Sequence, residues 1–174
     1  GKVYCTEGTR DLLKILLLDS GHLQEEEARL ANRHGYSRHN PALPLYTKAD
    51  AEACLDQLTP VAFHESFTVA KGITASITRA GHIIGSGCFR LQLGTTSVTF
   101  SGDVGRPNDP VMKAPEPLGA SDYLVVESTY GDRRHPQSSA LDELAAVVTS
   151  TFERRGTLVV PAFAYLAIAP IAMR

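Results

Sequence analysis

Three short stretches of the sequence each place a side chain that could do chemistry among small residues. They contain His82, Asp103 and Glu127, and each follows a segment with the apolar pattern of a strand. Imidazole and carboxylate groups together are suitable ligands for zinc or a similar divalent ion. The alternative is a β-rich domain with polar side chains at its strand ends, and spacing alone leaves both interpretations open.

A hairpin is predicted between the first two of these stretches. Apolar and polar residues alternate over 88–93 and again over 98–100, which is the period-two pattern of half-buried strands. The residues between them, 94–96, have the composition of a turn. We therefore expect two antiparallel strands joined by a tight connection.

This hairpin would bring His82 and Asp103 together. A turn centred on Thr95 places Asp103 opposite Gly87, because both lie the same number of residues from the centre. The glycines of the loop that precedes the hairpin tolerate backbone angles closed to other residues, so that loop can curl back. The sequence thus predicts that the imidazole and the carboxylate are neighbours.

Glu127 reaches the same region by another route. Residues 123–126 form a continuous apolar run, as expected of a strand covered on both faces. A carboxylate directly after such a run lies at the C-terminal edge of the strand, where α/β sheets place ligands. A helix capped by Ser139 and an apolar run at 158–160 complete a predicted right-handed β-α-β unit.

The remaining elements are predicted from periodicity and capping residues. Thr6 or Thr9 caps a helix that runs to Leu18, and Gly21 interrupts it before a second, polar helix begins. Thr47 starts a capping box for another helix, which Pro60 ends. Short strands are then expected at 61–63, 67–69 and 73–78.

Composition limits the possible classes of protein. The chain has 174 residues, of which 43% are hydrophobic and 21% charged, as in one soluble globular domain. No apolar run is long enough to span a bilayer, so no membrane association is expected. Three widely spaced cysteines predict reduced thiols and a cytoplasmic location rather than a disulfide framework.

Charge and motifs restrict the function further. A net charge of −2 indicates no excess of positive charge for binding nucleic acid, which argues against this segment binding RNA by itself. The sequence has neither a Gly-x-Gly-x-x-Gly turn between a strand and a helix nor a P-loop. Their absence argues against an enzyme that uses a nucleotide cofactor.

Four motifs together resemble a known family. They are Gly-His-Ile-Ile-Gly-Ser at His82, Phe-Ser-Gly-Asp-Val-Gly-Arg-Pro at Asp103, Glu-Ser-Thr-Tyr-Gly-Asp from Glu127, and Val-Val-Pro-Ala-Phe-Ala from Val159. In wording and order they resemble the metallo-β-lactamase fold, and more narrowly its β-CASP branch of RNA-processing nucleases. The resemblance covers residues 1–164 as a partial domain and leaves 165–174 as a divergent or truncated tail.

The resemblance implies a fold and a chemistry. The fold would be an α/β metallo-β-lactamase αββα sandwich, and the activity a metal-dependent cleavage of RNA phosphodiester bonds. His82 would be a terminal metal ligand, Asp103 the carboxylate that bridges two zinc ions, and Glu127 an acidic residue that positions catalytic groups and protons. Paired metals suit this reaction because they acidify a bound water and stabilise charge on the attacked phosphate.

The chain departs from the family pattern in two places. The family's His-x-His-x-Asp-His motif does not occur in it, and the resemblance places that motif upstream of Gly1. The β-CASP domain expected downstream is missing as well. One histidine and one carboxylate cannot complete a tetrahedral zinc site. We therefore expect this chain alone to bind zinc weakly and to have little nuclease activity.

The missing N-terminal strands would leave open sheet edges, so association into a homo-oligomer is expected. Two other functions stay open at this stage. One is a small-molecule hydrolase of the same fold, such as a thioesterase or a lactamase. The other is a non-catalytic scaffold or partner subunit of an RNA-processing complex.

Overall fold

The computed structural model describes residues 1–134 and 139–160, and the predicted tail at 165–174 lies outside them. The described fold is α/β with a mixed sheet. Its strands are β1 (Val3–Cys5), β2 (Leu58–Pro60), β3 (Ser66–Ala70), β4 (Ile73–Arg79), β5 (Gly87–Leu93), β6 (Thr96–Phe100) and β7 (Tyr123–Val125). Its helices are α1 (Glu7–His34), α2 (Lys48–Leu55) and α3 (Ala140–Glu153). The chain divides into two compact units, Gly1–Gly131 and Asp132–Arg174.

The larger sheet carries all three candidate site residues at its strand ends. Its order is β3-β4-β5-β6-β7, antiparallel except for the parallel pair β6-β7, and a separate parallel pair joins β1 to β2. Its best-buried side chains include Ala75 and Ile77 of β4, Cys88 of β5, and Ser97 and Thr99 of β6. No described helix is long and apolar enough to cross a membrane.

The predicted hairpin forms, but its register differs by one residue. Phe89 pairs with Phe100 and Leu93 with Thr96, so the turn contains two residues instead of three. Gly94 has a φ of +59°, which fits the first of the two central positions of a type II′ turn. The turn therefore consists of residues 94 and 95, and Thr96 already belongs to the second strand. Continuing the register places Gly102, and not Asp103, opposite Gly87.

Helix α1 is continuous where an interruption was predicted. Gly21 is buried inside it, and a Cβ added there would lie 2.8 Å from the Cα of Lys48. Glycine lowers the stability of a helix interior by about 1 kcal/mol relative to alanine, yet here its lack of a side chain lets α1 approach the start of α2. The capping predictions are confirmed: Thr6 accepts a hydrogen bond from Thr9 N–H, and Thr47 forms a capping box with Asp50.

The strand predicted at 61–63 is wrong. Helix α2 ends at Leu55, and Leu58–Pro60 forms β2, which pairs in parallel with β1. The hydrogen bond to the Cys5 carbonyl at this end is donated by the Val61 N–H, so the missing N–H of Pro60 costs no ladder hydrogen bond. Residues 58–60, just before the predicted strand, therefore form the strand instead, because they pair with β1.

The apolar run 123–126 is not buried as predicted. Tyr123, Leu124, Val125 and Val126 are 64%, 57%, 53% and 61% exposed, and β7 is the edge strand of the described sheet. Ser139 caps α3 as expected, but 158–160 has no strand structure. The predicted β-α-β unit is therefore not formed by the described residues.

Candidate active site

A short loop after β4 holds His82. The hydroxyl oxygen of Ser86 accepts hydrogen bonds from the N–H groups of His82 and Ile83, at 2.9 and 3.2 Å. The loop is closed by the Ser86 N–H, which donates to the Ile83 carbonyl, and by the Ala80 N–H, which donates to the Ser86 carbonyl. Gly81 takes a φ of +69° to begin this turn. The backbone of His82 is thus fixed by its own loop.

Asp103 follows β6 and lies beside this loop. The Nε2 atom of His82 is 3.8 Å from Oδ2 of Asp103, so the predicted proximity of the two side chains is confirmed. A backbone hydrogen bond of 2.8 Å from the Gly105 N–H to the Ala80 carbonyl joins the two segments. The His82 side chain is 45% exposed and that of Asp103 71%, so both are open to solvent and to a ligand.

Glu127, two residues beyond β7, is held at both its backbone and its side chain. Its N–H donates to the hydroxyl of Ser101 at 3.1 Å, and its Oε1 accepts from the Val104 N–H at 2.8 Å. The Val104 N–H, the Thr129 side chain and the nearby His82 lower the pKa of Glu127 below its usual range. A carboxylate kept ionised can accept a proton or bind a cation.

The metal-binding capacity of these residues is limited. Among residues 1–134 and 139–160, no group of three or more His, Cys, Asp and Glu side chains could hold a metal ion. His82 and Asp103 supply one imidazole and one carboxylate, whereas a structural or catalytic zinc has three or four protein ligands. The described donors therefore do not fit a complete zinc site by themselves.

The structure also shows contacts of residues for which the sequence indicated no individual role. Ser86 and Ser101 organise the loops of His82 and Glu127 through their hydroxyl groups. Arg79 and Glu116 form an ion pair next to the His82 loop, and Nε2 of His64 lies 3.0 Å from the same carboxylate. Serines are common at strand ends, and Glu116 lies 37 residues from Arg79, so neither feature has a local signal.

The cysteines are free thiols, as predicted. Cys5 and Cys88 are buried and Cys54 is half-buried. Burial raises the pKa of the Cys5 and Cys88 thiols, although the charge of Arg10 partly opposes this at Cys5. These two thiols are therefore neutral core groups, and neither belongs to the site around His82.

Comparison with known proteins supports the class of protein that this site suggests. The chain is similar over 94% of its length to proteins named endoribonuclease and ribonuclease, which confirms the resemblance to β-CASP metallo-β-lactamase RNA-processing nucleases. It is 30% identical to endoribonuclease YSH1 of Eremothecium gossypii over 94% of the chain. It is 28% identical to transcription termination factor FttA of Methanocaldococcus jannaschii and 27% identical to ribonuclease TTHA0252 of Thermus thermophilus, again over 94% of the chain.

The chain spans only part of these relatives. It covers 21% of the YSH1 protein, 25% of FttA and 34% of the Thermus ribonuclease. No family model matches the chain. What the complete relatives do can therefore be carried to this chain only as a proposal.

Proposed function

We propose that this chain carries part of the active site of a metal-dependent hydrolase that cleaves RNA phosphodiester bonds. The observation that carries the proposal is the approach of His82, in the loop between β4 and β5, to Asp103, which follows β6; Nε2 and Oδ2 are 3.8 Å apart. Glu127 is fixed against the same segment by the Val104 N–H. The names of the similar proteins, endoribonuclease and ribonuclease, support RNA as the substrate class.

Each residue has a role in this proposal. His82 and Asp103 would contribute to holding the metal in the complete site, where it would activate a water and stabilise charge on the phosphate, and Glu127 would position catalytic groups and protons. The remaining ligands come from residues elsewhere in the protein or from a second chain, because the described donors are too few. Of these roles, that of Glu127 has a direct geometric basis, since its carboxylate is oriented by a backbone N–H.

The fold proposed for the complete protein is the metallo-β-lactamase αββα sandwich. The described mixed sheet and its helices support this assignment. In this proposal residues 1–164 are a partial metallo-β-lactamase domain, and 165–174 are a separate tail. A cytoplasmic location is proposed with it, on the three free cysteines.

A chimera tests the function directly. Residues 1–160 of this chain replace the matching part of the Thermus ribonuclease, which supplies the parts of its own length that the chain does not span. We expect RNA cleavage that a chelator abolishes and that His82→Ala or Asp103→Asn lowers by at least about a hundredfold. His22→Ala, which changes an exposed histidine of α1, is the matched control.

The same chimera separates the alternative functions. A chromogenic lactam and a thioester are offered beside RNA. Hydrolysis of either small substrate without RNA cleavage would assign the chain to a small-molecule hydrolase. A folded chimera that binds zinc and cleaves none of the three substrates would favour the scaffold. RNA cleavage that survives His82→Ala would contradict the proposed site.

A further inference from the structure

We propose that Ser101 is a positioning residue that holds Glu127 in register with the segment carrying Asp103. Its side-chain hydroxyl accepts the Glu127 N–H at 3.1 Å and donates to the Gly102 carbonyl at 2.6 Å. Ser101 therefore links the residues that follow β6 to those that follow β7. The sequence motifs indicated a role for Asp103 but none for the Ser101 hydroxyl.

The hydroxyl of Ser101 is separate from the pairing of the two strands. The Ser101 backbone N–H donates to the Val125 carbonyl at 2.9 Å, and that bond does not involve the side chain. Ser101 is only 2% exposed, so water does not readily replace its hydroxyl. Since the single hydroxyl proton is donated to Gly102, a lone pair of the oxygen is what receives the Glu127 N–H.

A second hydrogen bond runs between the same segments in the opposite direction. The Val104 N–H donates to Oε1 of Glu127 at 2.8 Å. The first bond places the backbone of Glu127, and the second places its carboxylate. Because the direction of a side chain depends on its backbone, the Val104 bond relies on the one that Ser101 makes. Loss of the hydroxyl should loosen both.

The consequence for catalysis rests on the proposed function, in which the Glu127 carboxylate acts beside His82 and Asp103. The inference that Ser101 positions Glu127 does not depend on the proposed function. Ser101 contacts no substrate in this proposal and acts only through Glu127. Its removal should therefore disturb the Glu127 carboxylate while the sheet itself persists.

Amide hydrogen exchange of the intact chain, followed by NMR, tests the inference. In Ser101→Ala we expect the amides of Glu127 and Val104 to exchange about tenfold faster, because each depends on the lost hydroxyl. Ser101→Thr keeps a hydroxyl at this position and should restore slow exchange. Ser97→Ala is the matched control, since Ser97 is equally buried on β6 but its hydroxyl bonds Asp122.

Two results would overturn the proposal. One is unchanged exchange at Glu127 in Ser101→Ala. The other is an equal acceleration in Ser97→Ala, which would show that the effect follows overall stability. Should Ser101→Ala not fold, Ser101→Cys replaces it, because the thiol keeps the shape but is a weak donor and acceptor. This readout is independent of RNA cleavage, so its failure is distinguishable from failure of the proposed function.

Discussion

Arg79 and Glu116 are joined three times: through their side chains, through their backbones, and by the Arg79 backbone N–H, which donates to Oε2 of Glu116 at 3.4 Å. Nη1 of Arg79 lies 2.6 Å from Oε1 of Glu116, and the Glu116 N–H donates to the Arg79 carbonyl at 3.0 Å. The other oxygen of Glu116 is 3.0 Å from Nε2 of His64. The contacts of Glu116 with Arg79 and His64 connect the end of the irregular segment 106–117 to the end of β4, three residues before His82.

Removing the Glu116 charge should destabilise the protein. Both side chains of the Arg79–Glu116 pair are less than one third exposed, so screening by water is incomplete. We expect Glu116→Gln to lower the free energy of unfolding by about 1–2 kcal/mol in urea denaturation. Glu52→Gln, an exposed change on α2, should alter it by less than about 0.5 kcal/mol. Equal effects of the two variants would mean that these contacts contribute nothing.

The segment fastened by Glu116 packs directly on the His82 loop. A Cβ added at Gly81 would lie 2.5 Å from the Lys113 carbonyl oxygen, and Gly81 has a φ of +69°. Gly81→Ala should therefore carry both backbone strain and a clash, costing about 2–4 kcal/mol in urea denaturation.

Gly72→Ala is the matched control for Gly81→Ala. Gly72 has a φ of +76°, but a Cβ there would meet nothing within 4 Å. This variant should show the backbone strain alone, about 1–2 kcal/mol. If the two variants cost the same, segment 113–115 does not pack on the loop as described.

The stability of the sheet should depend on pH through Asp122. The backbone N–H and then the hydroxyl of Ser97 bind this carboxylate, at 2.7 and 2.9 Å, and lower its pKa below the ordinary value of 3.8. Folding therefore favours the ionised form. Its contribution is complete above pH 3.8 and is lost as the pH falls through the lower folded value.

Thermal denaturation of Asp122→Asn measures this contribution. At pH 7 we expect a Tm about 3 °C below that of the unchanged protein, and the gap should close as the pH is lowered beneath 3.8. Asp19→Asn, an exposed change on α1, is the control and should leave the Tm at pH 7 unchanged. A gap that widens on acidification would reverse the assigned sign.

The exposed edge strand β7 should promote self-association. Leu124 is 57% exposed in the middle of β7, the edge strand of the described sheet, where apolar side chains can pack against another chain. We expect light scattering to show oligomers of the unchanged chain and a marked shift to monomer for Leu124→Lys. Leu45→Lys, which changes an 86% exposed loop residue, is the control. A monomeric unchanged chain, or an equal response to Leu45→Lys, would contradict the prediction.

Several elements could be predicted because their causes are local. Thr6, Thr47 and Ser139 cap helices through bonds to N–H groups three residues away, and the hairpin strands show their alternation directly. The one-residue error in the hairpin arose because the backbone angle of Gly94 decides the turn length. The continuity of α1 through Gly21 was missed because the benefit lies in its contact with Lys48.

The chemical types at the site, their order along the chain and the closeness of His82 to Asp103 could all be predicted before the fold was known. Those properties follow from residue identity and from a hairpin of near neighbours. The contacts of Ser101 with Glu127 and of Glu116 with Arg79 became visible only in the folded chain. These bonds join residues 26 and 37 positions apart, and such distant partners are chosen by how the strands pair and the loops pack.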